Sequence, residues 1–203
     1  MKKVFIVNGS PQYSALFRKV GYLLTDMIHE ADVVCFTGGA DVTPAYYGDA
    51  PHPYTGNDVY RDKEEKLIFD MCLVDEVPMV GICRGGQFLN VMSGGRMYQH
   101  VSGHTNAHTI TDRRTGEAVY ASSTHHQMMM PSPEAVLVAS SAIGGIREWY
   151  DQEVFKKDVS KEDIEVVYYE HTKCLCFQPH PEFNGYDSLQ VYFHSLIEEF
   201  FNV

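Results

Sequence analysis

The segment Val80-Gly81-Ile82-Cys83-Arg84-Gly85-Gly86-Gln87 constrains this chain more than any other. An apolar run enters a cysteine that has glycine two positions before it and two positions after it, and helix-forming sequence follows. A strand that passes into a helix through one residue turns too tightly for neighbouring Cβ atoms, so glycine is required on both sides. A cysteine on such an elbow faces the N-terminus of the new helix, whose dipole favours the reactive thiolate. The backbone N–H of Arg84 is then placed to stabilise an oxyanion. A buried core cysteine in an ordinary strand-to-helix turn fits the same eight residues, so the elbow does not decide the matter alone.

The rest of the chain supplies the strands and helices that such an elbow needs. Short apolar runs alternate with longer mixed segments, the pattern of an α/β domain with a mainly parallel sheet. Strands are expected at Val4 to Val7, Val33 to Phe36, Pro78 to Ile82, Val166 to Tyr169 and Cys174 to Gln178. Helices are expected over Leu16 to His29, Asp62 to Val74, Gly86 to Met92 and Ser188 to Phe201. Ala40 to Tyr60, rich in Pro, Gly, Tyr and Asp, reads as a surface loop, and its tyrosines 46, 47 and 54, with Tyr60, are candidates for a pocket mouth. Arg114-Thr115-Gly116 marks a hairpin. The charged stretch from Asp151 to Glu165 reads as a solvated loop or helix, with a lid or docking surface as the sharper alternative. No repeat or linker divides the chain, so residues 1–203 are expected to form a single domain.

A cysteine nucleophile needs a base, and the base needs an orienting group. Both are offered by Phe177-Gln178-Pro179-His180-Pro181-Glu182. Prolines on either side of His180 exclude regular helix and central strand, leaving a rigid loop at a strand end. In a parallel α/β sheet, strand ends gather on the edge that carries the elbow. His180 is therefore the candidate base for Cys83, and Glu182 the group that fixes its tautomer.

Several motifs in register resemble the class I glutamine amidotransferase-like superfamily, and within it the γ-glutamyl-γ-aminobutyrate hydrolase branch. The resemblance runs through Thr37-Gly38-Gly39-Ala40-Asp41-Val42-Thr43-Pro44, Tyr46-Tyr47-Gly48 and Arg61-Asp62-Lys63-Glu64. It continues through the elbow to Val91, Gly94-Gly95, Gln99, Ser123-Thr124-His125-His126-Gln127 and His180-Pro181-Glu182. It implies a three-layer, flavodoxin-like α/β fold with helices on both sheet faces, and a catalytic triad of Cys83, His180 and Glu182. It further implies an oxyanion hole made by the amides of Gly39 and Arg84, and contacts to a glutamyl group from Gly38, Gln87, Ser123 and His125. The implied chemistry is hydrolysis of a γ-glutamyl amide through a thioester on Cys83, without cofactor or metal. A glutaminase subunit that passes ammonia to a separate synthetase is the alternative, and a non-catalytic scaffold a third. A homo-oligomer is left open.

Three departures stand out. Only about 36 residues precede the Gly-Gly turn, where the branch has more, Ser122 replaces an asparagine, and Gly144-Gly145 replaces an Asp-Gly pair.

Composition excludes other classes. A formal net charge of -11 argues against nucleic-acid binding, which needs a basic face. The first apolar run is too short for a signal-peptide core, and no run approaches the roughly 20 residues of a membrane span, so a cytoplasmic protein is expected. The five cysteines lack CxxC pairing, which suits a reducing compartment. His100, His104 and His108 are spaced as metal ligands on a helix would be, but Gly103 and the threonine-rich surroundings argue against a helix, so no metal site is expected. Met128-Met129-Met130 reads as gap-filling core.

Overall fold

The computed structural model describes residues 1–203. The first half of the chain forms β1 (Lys3–Val7), α1 (Pro11–Arg18), β2 (Leu23–Leu24), β3 (Val33–Phe36), α2 (Val59–Val74), β4 (Met79–Ile82) and α3 (Arg84–Met92). Then come β5 (Arg96–Tyr98), β6 (His100–Val101), β7 (His108–Asp112), β8 (Ala118–Ala121), β9 (Met128–Met130) and β10 (Val136–Ser141). The chain closes with β11 (Gly145–Asp151), β12 (Val154–Ser160), β13 (Asp163–Tyr169), β14 (Cys174–Phe177) and α4 (Asp187–Phe201).

Nine strands make one mixed sheet in the order β2-β1-β3-β4-β14-β13-β10-β7-β8. The run from β2 to β14 is parallel, and from β14 to β8 every pairing is antiparallel. Strands β3, β4 and β14 are buried along their whole length, as apolar strands covered on both faces must be. Their side chains alternate between two cores. Val33, Cys35, Val80, Ile82, Leu175 and Phe177 meet α1 and α4 through Leu16, Phe17, Leu189 and Phe193. Val34, Phe36, Met79, Cys174 and Cys176 meet α2 and α3 through Phe69, Cys72, Phe88 and Leu89. The result is the three-layer α/β fold that the resemblance implies. No helix is long and apolar enough to cross a membrane.

Two expectations fail. Leu16 to His29 is not a helix. The helix starts earlier, with Pro11 in its first turn where its missing N–H costs nothing, and stops at Arg18. Gly21 at φ 90° then turns the chain into the edge strand β2. The charged stretch from Asp151 to Glu165 is neither loop nor helix: β11 and β12 form a long hairpin that pairs with β6 and whose tip is bonded to Asp49 and Ala50 through Gln152. Its tip places Gln152 at φ 59°. The hairpin expected at Arg114-Thr115-Gly116 joins β7 to β8, and Met128 and Met129 are buried as core.

Candidate active site

Three adjacent strands, β3, β4 and β14, end on the same sheet edge, in register at Phe36↔Gly81 and Ile82↔Phe177. Thr37-Gly38-Gly39, Cys83 and the loop bearing His180 therefore emerge side by side, where ligands bind in parallel sheets.

Cys83 adopts φ 52° and ψ -114°, a backbone state that side-chain-bearing residues rarely occupy. The chain around it enforces this state. The Cys83 N–H donates to the Phe177 carbonyl at 2.8 Å, and the Gln87 N–H donates to the Cys83 carbonyl at 3.0 Å, starting α3. A Cβ on Gly81 would collide with the backbone of Gly85, and one on Gly85 with the Phe36 carbonyl, so both flanking glycines are sterically required. The other four thiols, Cys35, Cys72, Cys174 and Cys176, lie in the core, where burial pushes their pKa values up.

His180 is held from four directions. Its Nδ1 lies 2.7 Å from Glu182 Oε1, and its ring stacks on Phe183 at 4.5 Å between centroids. Its N–H donates to Ser122 Oγ and its carbonyl accepts from the same hydroxyl, both at 2.9 Å. With Nδ1 committed to Glu182, Nε2 is the nitrogen left for Cys83. Burial disfavours a charged imidazole, but hydrogen bonds to Cys83 and Glu182, together with their charges, raise the His180 pKa to about 10. A protonated imidazole here is a counter-ion for a thiolate.

The Cys83 side chain opens into a cavity of about 240 Å³. Gly39, Arg84, Gln87 and His125 line it, as do Tyr54 and three residues the sequence did not single out as site residues, Asp41, Thr124 and His126. The amides of Gly39 and Arg84 have no acceptor anywhere in the chain, leaving two free donors beside the thiol. Gly38 and Ser123 do not line the cavity. The Gly38 N–H donates to the Tyr13 hydroxyl at 3.0 Å, and a Cβ at this position would crowd that hydroxyl and the His180 ring. The Ser123 hydroxyl donates to the His104 carbonyl. Gln87 spends its amide hydrogens on the Gln127 carbonyl at 3.0 Å and Gln178 at 3.1 Å, so only its oxygen is free for a ligand. Of the four tyrosines expected at a pocket mouth, Tyr54 reaches the cavity, Tyr46 packs half-buried against the core, Tyr47 is buried against Gln99 at 3.1 Å, and Tyr60 is exposed on α2.

Behind His125 lies a buried polar cluster that the histidine spacing hinted at without revealing its partners. His104 Nε2 is 2.9 Å from Asp163, and its Nδ1 is 3.4 Å from Glu165. His108 Nε2 is 2.9 Å from Glu165, whereas His100 stands apart, stacked on His52. No helix carries these histidines. His104, His125 and Glu165 have ligand atoms within 4.8 Å of one another, a spacing that could hold a cation. A proton already supplies positive charge there. Burial opposes it, yet Asp163 and Glu165 raise the His104 pKa to about 9, while burial and His104 lower that of His125 to about 4 despite the Glu165 charge. Arg147, 3.9 Å from Asp163, adds a further cation at the rim.

This cluster has a pH signature. His104 titrates near 6.5 without its partners, so the stabilisation from its folded-state proton is complete below that pH and is lost as pH rises through about 9. The gap in unfolding midpoint between wild type and His104→Gln should therefore narrow from pH 6 to pH 9.5. Parallel curves would show that His104 is neutral in the folded protein.

The Peptidase C26 family model matches residues 17–182. A Mycobacterium tuberculosis protein named as a glutamine amidotransferase is 34% identical over 149 residues, 64% of this chain and 47% of that protein. The carbamoyl phosphate synthase small chain of Thermotoga maritima is 39% identical over 64 residues, 31% of this chain and 16% of that one. The chain thus spans about half or less of the length of these relatives. Among solved structures, a glutamine amidotransferase from Thermotoga maritima superimposes with a TM-score of 0.63 at 15% identity, covering 98% of this chain and 84% of that one. At that identity the likeness is one of fold.

Proposed function

Because the chain belongs to the Peptidase C26 family, in the class I glutamine amidotransferase-like superfamily, we propose that it hydrolyses γ-glutamyl amide bonds with Cys83 as nucleophile, His180 as base and Glu182 as orienting group. The observation that carries this reading is one arrangement. A cysteine at positive φ shares one cavity with two unpaired backbone amides, and an imidazole paired to a buried carboxylate hydrogen-bonds that cysteine.

In this mechanism the Cys83 thiolate attacks the side-chain amide carbon. The new C–S bond forms as the carbonyl electron pair moves onto oxygen, and the oxyanion accepts hydrogen bonds from Gly39 and Arg84. Protonated His180 gives its proton to the leaving nitrogen as the C–N bond breaks, leaving a glutamyl thioester. Neutral His180 then takes a proton from water, whose oxygen attacks the thioester and releases glutamate and the Cys83 thiolate. Gln87 and His125 at the cavity wall are the proposed contacts to the glutamyl end.

A second reading, a glutaminase subunit serving a separate synthetase, is supported by the similarity to a carbamoyl phosphate synthase small chain. One experiment separates the two: glutamate release by the purified chain from glutamine, γ-glutamyl-γ-aminobutyrate and γ-glutamyl-polyamines. Faster turnover of a substituted amide than of glutamine by at least tenfold is expected of a stand-alone hydrolase. Slow turnover confined to glutamine favours the subunit, and none at all removes the hydrolase reading.

A further inference from the structure

We propose that Arg61 is a positioning residue that sets the oxyanion hole from behind, so that both donor amides are aimed in the isolated chain; this rests on the reading of Cys83 as nucleophile. Arg61 Nη1 donates to the Gly38 carbonyl and Nη2 to the Thr37 carbonyl, each at 3.0 Å. The 38–39 peptide is trans, so its N–H points opposite to its C=O. Holding the Gly38 carbonyl outward on Arg61 therefore turns the Gly39 N–H inward, to the cavity that Cys83 shares. Two successive glycines give this turn little steric preference of its own, and an unheld peptide could rotate its carbonyl into the site, where it would repel an oxyanion.

The guanidinium is itself fixed. Its Nε donates to Glu65 Oε1 at 2.7 Å, one helical turn along α2, and Glu65 also accepts from Asn8 at 3.1 Å. A Cβ on Gly39 would run into Arg61, so the turn and the guanidinium are packed against each other. The second donor depends on the same helix. Asp62 and Glu65 grip the buried side chain of Arg84, whose own N–H is the other amide. One face of α2 thus sets both halves of the hole, without reaching the substrate itself.

The test compares wild type with Arg61→Met, which removes both donors, and Arg61→Lys, which keeps the charge beside Glu65 but cannot span two carbonyls. Loss of one oxyanion donor lowers kcat by about 100- to 1000-fold. A kcat reduction of about 100-fold is expected in both variants, with KM changed by less than about threefold. The binding of a glutamyl aldehyde, whose hemithioacetal on Cys83 presents an oxyanion, should weaken to a similar degree. Alkylation of Cys83 by iodoacetamide, which forms no oxyanion, should keep its rate and certify an intact elbow.

Retained kcat and retained aldehyde affinity would overturn the proposal. Slowed alkylation alongside lost turnover would also overturn it, by showing general disruption of the site. The aldehyde measurement reads the hole even if no amide in the substrate panel is cleaved, so failure of the functional reading and failure of this inference are distinguishable.

Discussion

Replacing Cys83 with alanine is expected to lower glutamate release by at least about 1000-fold, since a nucleophile that forms a covalent intermediate has no substitute among its neighbours. The fold should survive. Alanine inherits the same φ of 52° with no added branching, and the backbone bonds that hold the elbow, from Cys83 N–H to Phe177 and from Gln87 N–H to the Cys83 carbonyl, do not involve sulfur. Steady-state turnover beside a thermal unfolding curve checks both halves. Full activity in Cys83→Ala would end the proposed mechanism, whichever amide is the substrate.

The largest stability effect is expected at Arg84. Its side chain is buried under α2, paired with Asp62 and Glu65, and lies 5.0 Å over the Phe88 ring. Burial and the neighbouring Arg61 charge push its pKa down to about 10 against the pull of Asp62, a sign of how far from water it sits. Two cations, Arg61 and Arg84, balance two acids, Asp62 and Glu65. Arg84→Met deprives Asp62 of its one ion-pair partner and leaves Glu65 with Arg61 alone. Breaking a buried pair from one side costs about 3–5 kcal/mol, a large share of the 5–15 kcal/mol typical of a domain. Adding Asp62→Asn removes the stranded charge while keeping an acceptor for the Thr43 N–H, bonded at 2.8 Å. The double variant should recover most of the loss in a urea titration. Additive losses would mean that the charges are not coupled.

The candidate site was legible in the sequence where chemistry restricts residue type. Glycines flank Cys83 because no other residue fits, and His180 stands between prolines with Glu182 two residues on. The strands β3, β4 and β14 were legible for a similar reason, since only apolar residues tolerate burial on both faces. What escaped was everything set by packing between distant segments. Arg61-Asp62-Lys63-Glu64 was visible as a motif, but Arg61 pairs with Glu65, just beyond it, Asp62 and Glu65 pair with Arg84, and Arg61 reaches the loop after β3. Ser122 was noted only as a departure, although its hydroxyl clamps both backbone groups of His180. Gly38 and Ser123 were expected at the substrate and instead support Tyr13 and His104 contacts. The β11–β12 hairpin was missed because its tip uses Gln152, not glycine, at positive φ, and its strands carry charges that read as a solvated segment.

The adjacency of β4 and β14 has a consequence for how this site is built and how it can change. Between these two neighbouring strands the chain makes one long excursion, which contains the whole antiparallel side of the sheet and the β11–β12 hairpin. Cys83 and His180 therefore meet only when the two ends of that excursion close, a non-local contact of the kind that slows folding. The same topology makes the excursion modular. Doubling the length of a flexible closed segment costs only about 0.6 kcal/mol, so insertions there leave the β4–β14 seam, and with it the spacing of Cys83 and His180, nearly unaffected. Thr124, His125 and His126 lie within the excursion, whereas Cys83 and His180 lie at its ends. Selection can thus revise the cavity wall without touching Cys83 or His180.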